Sequence, residues 1–511
     1  MKKIGEIIDF TSEKMVKFII LMLALVLAYW AARYTYFYPA DYGMERVVIA
    51  PDSMVWNAVS FVMVAIASYV IQKIVLRGSE EQKRKRVSIF AVIDIVLVGG
   101  LLVWYVSNTH IPPYWDQAQV FQDALSFKAG EYSDMNAYLN MYPQQYGLIF
   151  VYQIMFLFGP DQYITMEYFN VFFLLVLIYF TYKLAEELFH SAAVSFYSIC
   201  AMTLFLPVHI YVNFVYGDVA STALSVVGIY TFLKWRGNSK NLYATISLVS
   251  FVFAYLFRKN VLIILIAVML AAMVEALRSQ RWKMALMGLL VIILPMAGMS
   301  GVSKMYEIRS GNKIADGIPA VMWMAMGLQD DYRGSGVFNG YTESTYRGMG
   351  NSDTEYTAQI GMEYIKGRLV EFAQDPNMAK DFFKEKIQLQ WIEPTYSSLI
   401  MTSKFGDGPT ELTQKIYFGT WAENIIKFMN YYNFVIFAGV VLFAVFALFK
   451  RDSACETVLL IAVIGGFLFS IMWEAKGRYV LPYVVFLIPY MCQGIGCMQK
   501  SVENIKKLHF R

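Results

Sequence analysis

Apolar stretches close to the length of a membrane-spanning helix recur along the whole of this sequence. A helix needs about 20 predominantly apolar residues to cross the hydrocarbon core of a bilayer. Twelve stretches are predicted to span, at residues 18–37, 54–76, 88–107, 163–182, 191–210, 217–233, 242–257, 260–277, 283–300, 430–449, 455–473 and 479–497. The sequence therefore predicts an all-α polytopic membrane protein with most of its chain in lipid.

The composition excludes several other classes of protein. Hydrophobic residues make up 58% of the chain and charged residues only 16%, whereas soluble proteins carry about 25% charged residues. The net charge of +4 is small, and no run of Lys and Arg lies beside an aromatic platform, so we expect no nucleic-acid partner. With 4 His and no zinc-binding spacing, no metal or other cofactor is indicated, although a divalent cation stays possible. No phosphate-binding loop of the ATPase type is present.

The distribution of Lys and Arg predicts which side of the membrane each loop faces. With a cytoplasmic N-terminus, the basic run SEEQKRKR at 79–86 and most later basic clusters fall on the inner side. Both termini are then cytoplasmic in a multi-pass cell-membrane protein, and residues 301–429 are extracytoplasmic. The apolar stretch Gly147–Gly159 would reverse every later loop if it crossed, so we predict a re-entrant or surface-lying segment there.

Four regions follow from this topology. The long outer segment is predicted to be mainly helical, with helices near 356–373 and 376–391. A connection of that length without secondary structure of its own is uncommon in a compact fold. The regions are 1–87 with two spans and a basic inner loop, 88–300 with a core of spans and the outer loop 108–162, the outer segment 301–429, and 430–511 with the last spans and the tail.

Two acidic residues lie at the outer boundary of the predicted core. Asp116 follows Pro112 and Pro113 and opens an amphipathic stretch that is typical of a helix lying on the membrane surface. Asp218 opens the sixth predicted span. A structural interpretation suits both, since Asp116 and Gln119 have the spacing of a capping box and Asp218 the position of an N-cap. The functional alternative is a site at the membrane boundary that uses both carboxylates.

Four cations occupy outer loops that are otherwise poor in basic residues. Arg258 and Lys259 interrupt a long apolar stretch, and Lys476 and Arg478 lie in the last outer turn. A tight turn explains the first pair, and Glu474 is spaced to pair with Arg478 across one helical turn. The alternative interpretation is an anion site, because cations at the membrane boundary suit a lipid phosphate.

The acids and cations above, together with the short motifs YPQQYGLIF at 142–150 and EAKGRYVLPY at 474–483, occur in an order that resembles the GT-C superfamily of polytopic glycosyltransferases. The nearest branch is that of the protein O-mannosyltransferases and aminoarabinose transferases of Gram-positive type. Two features depart from the pattern: two extra spans precede the core, and Gln117 stands where many mannosyltransferases carry a second acid. The resemblance rests on YWDQ around Asp116, YPQQYGLIF at 142–150, Asp218, EAKGRYVLPY at 474–483, and the loop pieces PAVMWMAMGLQ at 319–329 and WIEPTY at 391–396.

The resemblance implies a fold of GT-C type and a sugar transfer at the outer face, with inversion, from a polyprenyl-phosphate-linked donor to an acceptor hydroxyl. The acceptor would be a cell-envelope polymer, a lipid or a protein, and membrane lipid would surround the enzyme. Asp116 and Asp218 would be catalytic. The donor phosphate would be bound by Arg258, Lys259, Lys476 and Arg478, and the sugar or acceptor pocket would contain Tyr114, Trp115, Tyr142, Gln144 and Gln145.

Two other classes of function stay open. A transporter or flippase of lipid-linked sugars would use a similar membrane domain, but it would favour paired, broken helices in two halves, and no such pair is evident. A non-catalytic membrane protein that binds a partner would need neither the outer acids nor the segment Gly147–Gly159.

Overall fold

A computed structural model describes residues 2–38, 46–132, 135, 138–406, 408–450 and 455–509, without the side chains of residues 2, 4 and 503–509. Helices dominate this part of the chain, and two short antiparallel ribbons accompany them. The helices are α1 Lys2–Arg33, α2 Met54–Ile74, α3 Glu80–Thr109, α4 Trp115–Ala129, α5 Tyr138–Met141, α6 Tyr146–Met155, α7 Tyr163–Phe189, α8 Ala192–Leu204, α9 Leu206–Ile210, α10 Asp218–Asn238, α11 Asn241–Phe257, α12 Leu262–Ser279, α13 Trp282–Ser310, α14 Val321–Met326, α15 Tyr341–Arg347, α16 Thr354–Gln374, α17 Pro376–Trp391, α18 Ser398–Met401, α19 Glu411–Tyr417, α20 Thr420–Ala447, α21 Val458–Met472 and α22 Gly477–His509. The ribbons pair β1 Tyr34–Phe37 with β2 Val48–Pro51, and β3 Asp330–Asp331 with β4 Gly334–Ser335.

Long apolar helices form the bulk of the protein, as the sequence predicts. Within the described residues, eight helices are long and apolar enough to cross a membrane, namely α1, α2, α3, α7, α12, α13, α20 and α22. A ninth crossing results if α8 and the following segment Leu206–Asn213, bent by 52° at their junction, form one span. The predicted all-α membrane architecture is therefore confirmed at this level.

Besides the bent pair that contains α8, three predicted spans fall on helices that do not meet this criterion. Helices α11 and α21 have 17 and 15 residues, and α10 carries several polar residues. The serines and threonines of α10 are buried and bond along the helix. Ser221 Oγ donates to the Asp218 carbonyl at 3.2 Å, and Ser225 Oγ donates to the Ser221 carbonyl at 2.7 Å. A helix enclosed by other helices carries such residues without exposing them to lipid.

The first predicted span, 18–37, extends too far at its C-terminal end. Helix α1 already begins at Lys2 and ends at Arg33, and residues 34–37 form β1. The early part of α1 packs on the bundle and buries Asp9, Glu13 and Lys17. Lys17 Nζ donates to the carbonyl of Ala447 at 3.0 Å at the end of α20, where a cation is favourable to the helix terminus.

Helix α6 covers the stretch whose path the sequence left ambiguous. It has 10 residues, a length of about 15 Å, which is half the thickness of a hydrocarbon core. Seven of its residues are buried, and it packs against α4, α11 and α13. This length agrees with the prediction that Gly147–Gly159 does not cross.

Residues 301–429, which the sequence predicts to be extracytoplasmic and which we call the outer segment, form several helices between the long helices α13 and α20. Helices α16 and α17 lie where the sequence predicts helices near 356–373 and 376–391. Asp353 and Asp375 cap them, since each carboxylate accepts a backbone N–H of the following first turn. Helix α17 packs against α21 and α22, so the segment is attached to the last two membrane helices.

Candidate functional site

One cleft brings together residues from the connections at one end of the bundle. These connections are the start of α10, the α11–α12 turn and the start of α22. Tyr216, just before α10, connects them to the start of α4 and to the turn before α6. The cleft has about 350 Å³ of space, part of it open to solvent. It is lined by Asp218, Ser221, Thr222, Arg258, Asn260, Val261, Ile264, Arg478, Tyr479, Pro482 and Tyr483.

Two arginines from different turns lie beside Asp218. Its Oδ1 is 3.5 Å from Arg258 Nε and 3.8 Å from Arg478 Nε. These separations are ion pairs without a direct hydrogen bond. Asp218 and Arg478 are only 7% and 8% exposed, yet Asp218 Oδ2 and Arg478 Nε have no hydrogen-bond partner among the described residues. Buried polar atoms without partners indicate a place where a ligand or water completes the hydrogen bonding.

Aromatic rings fix the positions of both guanidinium groups. Arg258 and Arg478 lie over the ring of Tyr216, with 5.0 and 5.2 Å to its centroid, and Arg478 also lies 5.4 Å from the centroid of Phe214. Arg478 Nη1 is 3.8 Å from the sulfur of Met401, a weak acceptor. Cation–π contacts hold a guanidinium without using its N–H groups, so both arginines keep donors for an anion.

Asp218 does not serve as the N-cap of α10. Gly217 holds that position with φ of 88°, and Asp218 is the first residue inside the helix. No side chain caps this helix, although the partial positive charge of its N-terminus still favours a carboxylate there. The capping interpretation of Asp218 is therefore wrong, and its side chain is committed to the two arginines instead.

Asp116 likewise lies inside its helix and not at the cap. Tyr114 holds the N-cap position of α4, and Gln119, the predicted partner in a capping box, donates instead to Asp123 at 2.9 Å. Asp116 Oδ2 accepts the hydroxyl of Tyr216 at 3.3 Å. The predicted capping box is wrong, and Asp116 is joined to the cleft through Tyr216.

The Asp116 carboxylate is accessible to solvent but lies in a recess with protein on most sides. Loss of solvation raises its pKa, while the charges of Arg478 and Lys476 lower it, the charge of Glu343 raises it, and the hydrogen bond from Tyr216 lowers it. The net effect is a raised pKa, which makes this carboxylate a stronger proton acceptor than an ordinary aspartate.

Tyr216 connects the two halves of the site. Its hydroxyl donates to Asp116, accepts a hydrogen bond from Gln145 Nε2, and lies 3.2 Å from the hydroxyl of Tyr138. Burial raises the pKa of Tyr216, so it stays protonated and can donate. The two acids that the sequence singled out therefore share one site, with Tyr216 between them. Tyr216 is not among the residues predicted from the sequence, although its position two residues before Asp218 was a usable signal.

A third carboxylate reaches the site from the outer segment. Glu343 on α15 accepts the hydroxyl of Tyr142. Its charge acts on both Tyr142 and Asp116. No motif around Glu343 pointed to this role, because only packing of the outer segment brings it here.

The remaining predicted residues occupy different surroundings. Lys476 is 9% exposed and close enough to act on Asp116, whereas Lys259 is exposed and is not among the described residues that line the cleft. Tyr114 and Trp115 are 45% and 42% exposed beside Asp116, and their rings meet edge to face at 5.3 Å. Gln144 is half-buried in the 3-10 turn before α6.

The turn that presents Arg478 rests on a buried loop. Helix α22 begins at Gly477, so Glu474 lies before it and the two residues are not one helical turn apart, contrary to the predicted pairing. A Cβ at Gly477 would lie 2.8 Å from Glu393 Oε2. The Glu393 carboxylate accepts the backbone N–H groups of Thr395 and Ser397. Burial raises its pKa to about 7, against the opposing effect of these hydrogen bonds.

The three carboxylates of the site are spread over its walls, on α4, α10 and α15. In the part of the chain that the structure describes, no group of three or more His, Cys, Asp or Glu side chains is arranged to hold a metal ion. No protein-family model and no curated protein matches this chain, so its function has to be inferred from the geometry of this cleft.

Proposed function

We propose that this protein is a membrane glycosyltransferase that moves a sugar from a polyprenyl-phosphate-linked donor to an acceptor hydroxyl. One observation carries the proposal. At one end of a bundle of apolar helices, a cleft contains two arginines, Arg258 and Arg478, with donors left for an anion, and Tyr216 joins it to an accessible carboxylate, Asp116. Such a transfer needs a proton acceptor for the hydroxyl and cations for the phosphate.

In this proposal, Arg258 and Arg478 bind the donor phosphate. Planar guanidinium groups recognise phosphate through paired N–H···O bonds. The same cleft continues between α12 and α22 over Val261, Ile264 and Pro482, an apolar floor that suits the first isoprene units of the lipid. Lys476, near Asp116, adds positive charge on the acceptor side.

The chemistry follows from these positions. The acceptor oxygen forms a bond to the anomeric carbon, and its proton passes to Asp116. The bond between that carbon and the phosphate oxygen breaks, its electron pair leaves with the lipid phosphate, and the arginines balance the new charge. Attack from the face opposite the leaving group inverts the configuration. Asp218 keeps both arginines oriented, and Tyr216 orients Asp116.

The proposal includes the finer architecture implied by the resemblance. The bundle would be of GT-C type with about twelve crossings, α10, α11, α21 and the bent α8–α9 pair included. It would lie in the cell membrane with cytoplasmic termini, with residues 301–429 and the cleft outside. Asp116 and Asp218 would be the two catalytic-site carboxylates, the first as the base and the second beside the arginines. Tyr142 and Gln145 would line the pocket, and a cell-envelope polymer, lipid or protein would accept the sugar.

A transfer assay with purified protein tests the proposal. The probes are synthetic polyprenyl phosphate and the same lipid carrying tritiated mannose or glucose, and the readouts are lipid-phosphate binding and release of the label to envelope glycan or water. We expect Asp116→Asn to bind the lipid normally and to lose about 10²–10⁴ in rate, the usual contribution of a positioned base. Arg478→Gln should weaken binding of the sugar-free lipid phosphate.

Matched controls are available at the same end of the protein. Asp161→Asn removes an exposed carboxylate of the same outer loop that pairs with Lys128, and Arg309→Gln removes an exposed arginine at the end of α13. Neither should change rate or binding. Normal transfer by Asp116→Asn would refute the assignment of the base, and movement of the intact labelled lipid across a bilayer without bond cleavage would indicate a transporter.

A further inference from the structure

Glu343 lies at the site but has no role in the transfer as described above. It is the third residue of α15, after the N-cap Gly340, in the segment between α13 and α20. Its side chain is half-buried, and its Oε1 accepts the hydroxyl of Tyr142. An acid in the first turn of a helix is ordinary, but a hydrogen bond to a tyrosine some 200 residues earlier in the chain is a tertiary contact.

A cluster of tyrosines joins Glu343 to Asp116. The rings of Tyr142 and Tyr138 are 4.8 Å apart between centroids. The Tyr138 hydroxyl lies 3.2 Å from that of Tyr216, which donates to Asp116 at 3.3 Å. The two carboxylates therefore lie at opposite ends of one cluster of phenol groups.

Charged groups from several elements face Asp116. Lys476 lies between α21 and α22, Arg478 lies in the first turn of α22, Glu343 comes from α15, and the Tyr216 hydroxyl comes from the connection before α10. Two cations beside a carboxylate favour its ionised form and weaken it as a base, whereas a nearby carboxylate has the opposite effect. Glu343 is the acid that acts in this sense on Asp116.

We propose that the outer segment completes the transfer site by supplying Glu343, a positioning residue that acts on Asp116 through its charge and is held by Tyr142. The inference rests on the proposed function for its meaning, but not for its test. Glu343 exchanges no proton and forms no bond during transfer. It strengthens Asp116 as the acceptor of the hydroxyl proton, against the pull of Arg478 and Lys476.

This arrangement couples the base to the fold of the outer segment. Helix α15 packs through Tyr346 and Tyr341 on Met141 and Ile318, close to Tyr142. A displacement of this segment removes the charge of Glu343 from Asp116. The added strength of Asp116 as a proton acceptor then lasts only while the outer segment is packed on the site.

The test measures protonation of Asp116 directly. A water-soluble carbodiimide with an amine labels protonated carboxyl groups, and peptide mass spectrometry gives the extent of labelling at Asp116 as a function of pH. We expect Glu343→Gln to lower the midpoint of this profile by about one pH unit, since a nearby like charge is lost. Tyr216→Phe should raise the midpoint, because the carboxylate loses a donor. Glu363→Gln, an exposed acid on α16, is the matched control and should leave it unchanged.

Labelling does not require sugar transfer, so the result is readable even if the proposed function fails. An unchanged midpoint in Glu343→Gln overturns the inference, including when transfer falls, because loss of rate alone fits a merely structural role. Where transfer is measurable, the acidic side of the pH profile of kcat/KM should move to lower pH in Glu343→Gln. A profile that moves to higher pH or stays in place also overturns it.

Discussion

Lys386 gives the protein a pH-dependent stability that one substitution should remove. It lies on α17 with 0% of its surface exposed, and its ammonium donates to the Gly327 carbonyl. Burial lowers its pKa from 10.5 to about 7, while the charge of Glu474 acts in the opposite direction. The bond to Gly327 lies within the outer segment, beside Gly336, whose carbonyl accepts the Ala475 N–H at 2.7 Å from the turn that leads into the cleft.

The sign follows from proton binding in the two states. Below pH 7 Lys386 is protonated in both, and between pH 7 and 10.5 the unfolded chain binds the proton more tightly than the folded one. The free energy of unfolding therefore rises with pH through this range, by about 5 kcal/mol in total and by about 2 kcal/mol between pH 7 and 9. This contribution is absent when residue 386 does not titrate.

Lys386→Met keeps the volume and removes the charge, so it should abolish that part of the rise. The measurement is the thermal unfolding midpoint in detergent at pH 7 and pH 9, by intrinsic fluorescence, for wild type and variant. Lys384→Met, at an exposed position on the same helix, should behave as wild type. Cysteines and tyrosines titrate equally in all three proteins, so the difference between proteins isolates Lys386. Equal pH dependence in wild type and Lys386→Met would refute the reasoning.

Three further predictions follow from the site and the fold. Asp218→Asn leaves two arginines near one another without their carboxylate, so the thermal unfolding midpoint of the variant should fall. Added polyprenyl phosphate should raise the midpoint of this variant more than that of wild type. An equal rise in both proteins would contradict the phosphate site. Gly217→Ala should lower the free energy of unfolding by about 1–3 kcal/mol in chemical denaturation, because φ is 88° and the new Cβ would lie 2.8 Å from the Phe257 carbonyl oxygen. Gly237→Ala, with open space around the new Cβ, should not lower it. Equal losses would show that the turn at Gly217 can relax. In a cysteine-free background, Ser344→Cys and Ser239→Cys, both at exposed positions, should react with impermeant reagents from opposite sides of the membrane, and labelling from one side would overturn the proposed topology.

The sequence by itself determined the class of fold and which charged residues lie at the ends of its apolar stretches. Hydropathy is a local property, so it predicts long membrane helices and the helices α16 and α17 without knowledge of their packing. The acids Asp116 and Asp218 and the arginines Arg258 and Arg478 also stood out locally, because they lie in predicted outer loops that carry few basic residues. Helices also lie at the spans predicted over α10 and α21, where enclosure by other helices permits polar residues and short lengths.

Tertiary structure decided which of these charges work together. Spacing along the chain predicted a capping box at Asp116 and a helical pair of Glu474 with Arg478. Helix α4 begins at Trp115, so Asp116 lies inside it and not at its cap, and α22 begins at Gly477, so Glu474 lies outside the helix that contains Arg478. Asp116 and Asp218 meet through Tyr216, and Arg478 reaches Asp218 from a distant part of the chain, contacts that no local pattern contains. Glu343 is the clearest case, because nothing in its own sequence distinguishes it. Only the packing of the outer segment brings Glu343 to Tyr142, because a contact between residues so far apart in the chain depends on how all the intervening helices pack.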